Sequence, residues 1–321
     1  MPTVLFLPPH RPVTREWAAR LHADVPELDV RVAETREDAM ALLPSARGAF
    51  GTLDPELLAV ASSLAWLQAP AAAPPFGYFF DELADHPVVV TNFRGIFNDH
   101  VAHHAVALVL AIARRLPFWI DRQREHLWVG DRGDDLVIDL PHTTALVVGV
   151  GGIGGEVGRL LHELGMRVLG VDPRREDVPE GFESIDRPDE LDRLLPEARI
   201  VVLAMPHTPD TERLFDADRI ARMPRGAVLV NVGRGATVDL DALTAALRSG
   251  ELRAAGLDVF EVEPLPADHP LWDAPGALLT PHAAAAGPFL DERRYAILRE
   301  NARHLLEGTP FMNVVDKASG F

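Results

Sequence analysis

The chain has 321 residues, enough for about two domains, and its 47% apolar and 25% charged content is ordinary for a soluble globular protein. A formal net charge of -17, with no local Lys/Arg cluster to offset it, would repel phosphate backbones and argues against nucleic acid as a partner. The absence of cysteine excludes disulfides, thiolate catalysis and Cys-based zinc sites, and Lys317 is the single lysine, so a Schiff-base lysine is excluded everywhere else.

The opening MPTVLFLPPH is too short and too broken by proline to act as a leader, and no apolar run is long enough to span a bilayer. It reads as a first β-strand, which predicts a cytoplasmic protein with no membrane contact. Through about residue 95, short apolar runs at 4–7, 28–32, 48–51, 66–69 and 88–92 alternate with helix-compatible stretches such as 14–24 and 35–43. Thr14 and Thr35 each stand where an N-cap is wanted. Regular strand and helix alternation predicts a small parallel α/β domain. The proline-rich segment APAAAPPFG, 69–77, follows a strand, and ligands of open α/β sheets gather beyond the carboxyl ends of strands. It is therefore either a substrate-facing loop or an irregular surface loop.

Residues 98–116 read as one long, largely apolar helix ending before Pro117. It carries His100, His103 and His104, for which polar packing or cleft lining is favoured over metal binding because no acidic ligand is placed among them. Residues 118–139 read as an arm in which Trp119 and Trp128 suit a contact with a second copy.

A second α/β series begins at Thr144 with LVVGVGGIGGEVG. Gly149, Gly151 and Gly154 form a G-x-G-x-x-G pattern between an apolar run and a helix-compatible stretch. The first glycine permits a tight turn, the second lets the backbone approach a pyrophosphate, and the third allows close helix packing. With 24 glycines in the chain, a surface turn would explain the pattern equally well on its own. Asp172 supplies support, because it ends the next strand 18 residues past Gly154, where a carboxylate can accept hydrogen bonds from an adenosine ribose. That spacing favours NAD, whereas Arg174 and Arg175 would admit the 2'-phosphate of NADP. Further strands are expected at 200–204, 227–231, 255–259 and 278–280, and a final amphipathic helix at about 289–307. Arg234, Glu263 and His282 each lie just past one of these strands, on the edge where parallel strands converge. Together they form a cationic clamp, a carboxylate and a general acid.

These residues carry a resemblance. TNFRGIFNDHVAHHAVALVLAIARRLP, LVVGVGGIGGEVGRLLHELGMRVLGVDPR, MPHTPDTERLF, LVNVGRGATVDLDAL, AAGLDVFEVEPLP and LLTPHAAAAG occur in the order and spacing of the D-isomer-specific 2-hydroxyacid dehydrogenase family, which the chain resembles over nearly its whole length. The resemblance implies two doubly wound parallel-sheet α/β domains: a Rossmann-type cofactor domain at 98–284 and a flavodoxin-like substrate domain built from 1–97 and 285–321, with the active site in the cleft between them. It implies hydride transfer between NAD(P)H and C2 of a small 2-keto acid, in a homodimer. By position, Arg234 would bind the substrate carboxylate, His282 would be the acid/base and Glu263 its partner. The cofactor would meet Gly149, Gly151, Gly152, Ile153, Gly154, Asp172, Pro206, Thr208, Val232, Gly233, Arg234, Asp258 and His282. Substrate would meet backbone N–H groups of Ala71, Ala72 and Ala73.

A carboxylate beside His282 favours the imidazolium form, which suits an acid in reduction. Arg234 matches a planar carboxylate through paired donors. The chain departs from many relatives at His103, where they have Glu, and at AAAPPFG, where they have a glycine-containing loop, which leaves the particular acid open. Glu263 disfavours the formate dehydrogenase branch, which has Gln there. A rival reading is an NAD(H)-sensing, non-enzymatic partner protein of the corepressor kind. An NAD-binding hydrolase is a third, and it lacks its expected lysine.

Overall fold

The computed structural model describes residues 1–72, 77–130 and 133–317. The chain divides into two compact units, Met1–Ile96 with Gly287–Phe321, and Phe97–Ala286.

The first unit begins β1 (Thr3–Phe6), α1 (Pro12–Asp24), β2 (Asp29–Val32), α2 (Arg36–Leu42), β3 (Ala46–Phe50), α3 (Pro55–Val60), β4 (Trp66–Gln68), α4 (Asp81–Asp85) and β5 (Val89–Thr91). Its strands pair in parallel in the order β2-β1-β3-β4-β5, the flavodoxin-like arrangement. Helix α2 opens as expected: Thr35 Oγ1 accepts Asp38 N at 3.1 Å and Thr35 N donates to Asp38 Oδ2 at 3.0 Å. Helix α1 starts earlier than Thr14. Pro12 fills its first turn, where a missing N–H costs nothing, and Thr14 Oγ1 reaches back to accept Arg11 N at 3.1 Å.

The second unit contains α5 (Asn98–Ala113), α6 (Leu116–Arg124), β6 (Thr144–Val148), α7 (Gly152–Glu163), β7 (Arg167–Val171), β8 (Ser184–Asp186), α8 (Leu191–Leu194), β9 (Ile200–Leu203), α9 (Ala217–Arg222), β10 (Ala227–Asn231), α10 (Leu240–Ser249), β11 (Leu252–Leu257) and β12 (Ala277–Leu279). Seven parallel strands run β12-β11-β10-β9-β6-β7-β8, so the strand order reverses between β6 and β9. Successive side chains of a strand point to opposite faces, and both faces are apolar here. Leu146, Val148, Leu169, Val201 and Leu203 enter one core, while Ala145, Val147, Val168, Ile200 and Val202 enter the other beneath α5 and α7.

The helix expected over 98–116 ends three residues early, and a second helix opens the stretch read as an arm. Helix α5 ends at Ala113, Arg115 is left-handed with φ 59, and α6 departs at 68°. Pro117 explains the break: it has no N–H to give the carbonyl of Ala113, and its ring would clash there. That carbonyl instead accepts Ile138 N at 3.1 Å. Among the described residues no single helix is long and apolar enough to cross a membrane.

Helix α11 (Leu290–Glu307) belongs to the first unit. It docks through a buried polar chain, in which Asn301 Nδ2 donates to Gln68 Oε1 and to Met312 O, both at 3.2 Å. Thr91 Oγ1 donates to the same Gln68 oxygen at 2.8 Å and accepts Trp66 Nε1 at 2.8 Å. The segment after α11 covers the β5 edge, with Val315 N donating to Val90 O at 2.9 Å.

Candidate active site

The turn after β6 is built by glycines with separate reasons. Gly149 has φ +89, and a Cβ there would lie 2.7 Å from the Met205 backbone. A Cβ on Gly154 would lie 1.8 Å from Gly149 O, so only glycine lets α7 begin this close to the strand. Gly151 is the opposite case: no atom lies within 4 Å of an added Cβ, and the residue is exposed. An open approach to the backbone thus faces the first turn of α7, Gly152, Ile153 and Gly154, whose N–H groups have no partner within the helix. A pyrophosphate fits this cradle.

Asp172, just past β7, closes the turn from beside it. Its Oδ2 accepts Val150 N at 2.8 Å, and its Oδ1 accepts Arg174 N at 2.8 Å and Arg175 N at 3.0 Å. Three backbone bonds fix the carboxylate at the mouth of the glycine turn. Arg175 Nη1 donates to Val150 O at 3.0 Å, while Arg174 is exposed. On the β9 side, Thr211 Oγ1 donates to Pro206 O at 2.8 Å and accepts Thr208 N at 2.7 Å, which shapes the loop bearing Pro206 and Thr208.

Strands β10, β11 and β12 are neighbours, and the segments beyond them carry Arg234, Glu263 and His282. Beyond β10, Val232 and Gly233 are buried and Arg234 is exposed. Asn231 holds this turn, its Nδ2 donating to Arg234 O at 3.1 Å and its Oδ1 accepting Gly233 N at 3.0 Å. A Cβ on Gly235 would lie 1.8 Å from the Phe260 carbonyl carbon, so the Arg234 turn presses against the loop leading to Glu263. Glu263 Oε1 accepts Phe260 N at 3.0 Å, and its Oε2 lies 2.7 Å from His282 Nδ1. His282 is half-exposed, and with Nδ1 engaged its Nε2 has no hydrogen-bond partner among the described residues.

His282 is itself left-handed, φ 52, which costs a residue with a Cβ ~1–2 kcal/mol. Asp258 overrides that cost. Its backbone oxygen accepts His282 N at 2.8 Å, and its carboxylate accepts Thr280 Oγ1 at 2.6 Å, Ala283 N at 2.9 Å and Ala284 N at 2.9 Å. The carboxylate is 1% exposed and turned into this loop. The residue whose part sequence reasoning left open is His104, with Nε2 2.9 Å from Thr280 Oγ1. A histidine on a helix 176 positions away gave no spacing signal for that contact. His103 is exposed, and His100 Nδ1 is buried without a hydrogen-bond partner. Among the described residues no group of three or more His, Asp or Glu side chains is placed to hold a metal ion.

In the first unit, Ala71 and Ala72 follow β4 and are half-buried, with Ala71 O accepting Phe93 N at 3.4 Å. Ala73 lies outside the described residues.

Residues 106–284 match the D-isomer specific 2-hydroxyacid dehydrogenase, NAD binding domain. The chain is 35% identical over 286 residues to glyoxylate/hydroxypyruvate reductase B of Pectobacterium atrosepticum, covering 86% of this chain and 87% of that one. It is 36% identical over 241 residues to glyoxylate reductase of Korarchaeum cryptofilum, covering 74% and 71%. Among solved structures, a D-isomer specific 2-hydroxyacid dehydrogenase from Xanthobacter autotrophicus Py2 in complex with NADPH and MES aligns over 100% of both chains, with TM-score 0.82 and 31% identity. The chain belongs to the D-isomer specific 2-hydroxyacid dehydrogenase family.

Proposed function

We propose that the protein is an NAD(P)-dependent reductase that interconverts small 2-keto acids and D-2-hydroxy acids, with glyoxylate and hydroxypyruvate as the first substrates to test. The observation that carries this reading is the His282–Glu263 pair, 2.7 Å apart, with His282 on the loop that Asp258 clamps at the end of the dinucleotide-binding sheet. The names of the relatives support the choice of acids.

When bound, the reduced nicotinamide supplies a hydride to C2 of the keto acid. His282 gives the proton from Nε2 to the carbonyl oxygen as it gains charge, and Glu263 holds the Nδ1 proton and the ring orientation throughout. Arg234 holds the substrate carboxylate with paired donors, and in the first unit the backbone N–H groups of Ala71 and Ala72 are candidate substrate contacts. The glycine turn at Gly149, Gly151, Gly152, Ile153 and Gly154 takes the pyrophosphate, and Asp172 takes the adenosine ribose. Pro206, Thr208, Val232 and Gly233 line the cofactor on either side, and Asp258 sets the loop against the nicotinamide end. Residues 98–284 act as the cofactor domain, and 1–97 with 285–321 as the substrate domain.

The protein works as a cytoplasmic homodimer, with Trp128, 99% exposed beside Leu127, as part of the contact. Light scattering of wild type and Trp128→Asp tests this, and a monomeric wild type would refute it. The catalytic reading is tested by assaying 2-keto acids with NADH and with NADPH. Reduction of glyoxylate or hydroxypyruvate is expected. Tight NADH binding with no acid reduced would leave the sensor reading in its place.

A further inference from the structure

Three polar residues lie behind the reactive histidine: His104 on α5, Thr280 after β12 and Asp258 after β11. Thr280 Oγ1 is 2.6 Å from Asp258 Oδ1 and 2.9 Å from His104 Nε2. A hydroxyl has one proton, and an ionised carboxylate has none to offer, so the Thr280 proton is spent on Asp258. The Thr280 oxygen is then only an acceptor toward His104. Nε2 of His104 must carry a proton and donate it. His104 Nε2 also lies 3.5 Å from Asp258 Oδ1.

We infer that His104 is a positioning residue: its Nε2–H orients the Thr280 hydroxyl onto Asp258, and Asp258 in turn holds the left-handed His282 loop. The loop needs such a brace because its conformation is unfavourable for His282 and three of the backbone N–H groups that hold it, those of His282, Ala283 and Ala284, converge on Asp258, with His282 N also within reach of Thr280 O at 3.1 Å. Without a donor at position 104, the Thr280 oxygen would face a half-buried site unpaired. The Thr280 hydroxyl would lose one of the two bonds that fix its position, and its bond to Asp258 would be less tightly ordered. Among the described residues His104 makes no hydrogen bond or ion pair with His282, so its effect on turnover passes through loop order. The inference rests on the proposed acid/base role of His282.

Two variants separate this role from simple space filling. In His104→Gln the side-chain nitrogen falls close to the position of Nε2, whereas in His104→Asn it falls one methylene short. Both are neutral and polar. Exchange of the Ala283 and Ala284 amide protons, which donate to Asp258, is expected to accelerate about tenfold in His104→Asn and to stay near wild type in His104→Gln. With glyoxylate and NADH, kcat is expected to fall about tenfold or more in His104→Asn while KM for NADH holds, and to be restored in His104→Gln. Unchanged amide exchange in His104→Asn overturns the inference whatever kcat does. Should that variant fail to fold, accelerated exchange in His104→Gln overturns it and wild-type exchange there supports it. A wild-type protein that reduces no 2-keto acid would instead defeat the proposed function, while the exchange measurement still decides what His104 does.

Discussion

His282 Nδ1 lies 2.7 Å from Glu263 Oε2, and the other oxygen of that carboxylate accepts the backbone N–H of Phe260. Glu263 is thereby held at both ends, and the imidazole is aimed by a group that cannot swing. Removing the ring should cost kcat about 10²–10⁴-fold, since that is the usual worth of a positioned acid/base. His282→Ala is the variant to measure. Glu263→Gln should lower kcat by less, and the double variant should be no worse than His282→Ala alone, because the two act as one unit. Additive losses would mean that the pair does not work together.

Arg234 is an exposed residue whose backbone is fixed by Asn231 and Thr237 and whose Nη1 donates to Gly233 O at 2.7 Å. Arg234→Ala should raise KM for the keto acid roughly 10- to 100-fold, as expected for a charged hydrogen-bonding pair. Arg234→Lys should recover only part of the loss, because an ammonium cannot present two parallel donors. Steady-state kinetics at saturating NADH read this directly.

Two glycines of the same turn should respond differently to one methyl group. Gly154→Ala puts a Cβ 1.8 Å from Gly149 O and should destabilise the fold by about 1–3 kcal/mol, seen as a lower Tm. Gly151→Ala meets nothing within 4 Å, so Tm should hold while the dissociation constant for NADH rises. Equal Tm losses in the two variants would contradict the geometry.

Asp172→Ser shortens the acceptor that serves Val150, Arg174 and Arg175 and removes its charge. The ratio of kcat/KM for NADH over NADPH should fall. If the ratio stays put, coenzyme choice lies with Arg174 and Arg175.

In the first unit, Asn301 is fully buried and joins Gln68 to Met312. Asn301→Leu removes the bonds to Met312 N and Met312 O and one of the two donors to Gln68 Oε1, which keeps Thr91 Oγ1, and should cost about 1–3 kcal/mol per stranded group. Denaturant unfolding measures it, with no change expected in the affinity for NADH.

Much of the architecture is legible in the order of the residues, for a reason visible in the second unit. A strand buried on both faces must be apolar at nearly every position, so runs such as that of β6 announce themselves. The edge strand β8, Ser-Ile-Asp, is half-buried and carries no apolar run in the sequence, because an edge needs little apolar area. Helix α5 ends three residues before the end that its sequence predicts. Hydrophobic periodicity continues across Arg115, and only the backbone shows that the carbonyl of Ala113 turns to Ile138.

The site divides along the same line. The glycine turn, Asp172, Arg234, Glu263 and His282 are local chemistry at the ends of parallel strands, and the topology of such a sheet delivers strand ends to one edge. Sequence alone was therefore sufficient to nominate them. Only the folded chain shows that Asp258 faces inward to clamp the His282 loop and that His104 stands behind Thr280. Those contacts join residues 22 to 176 positions apart. Their existence depends on hydrogen-bond distances of about 3 Å, which residue type and spacing do not encode.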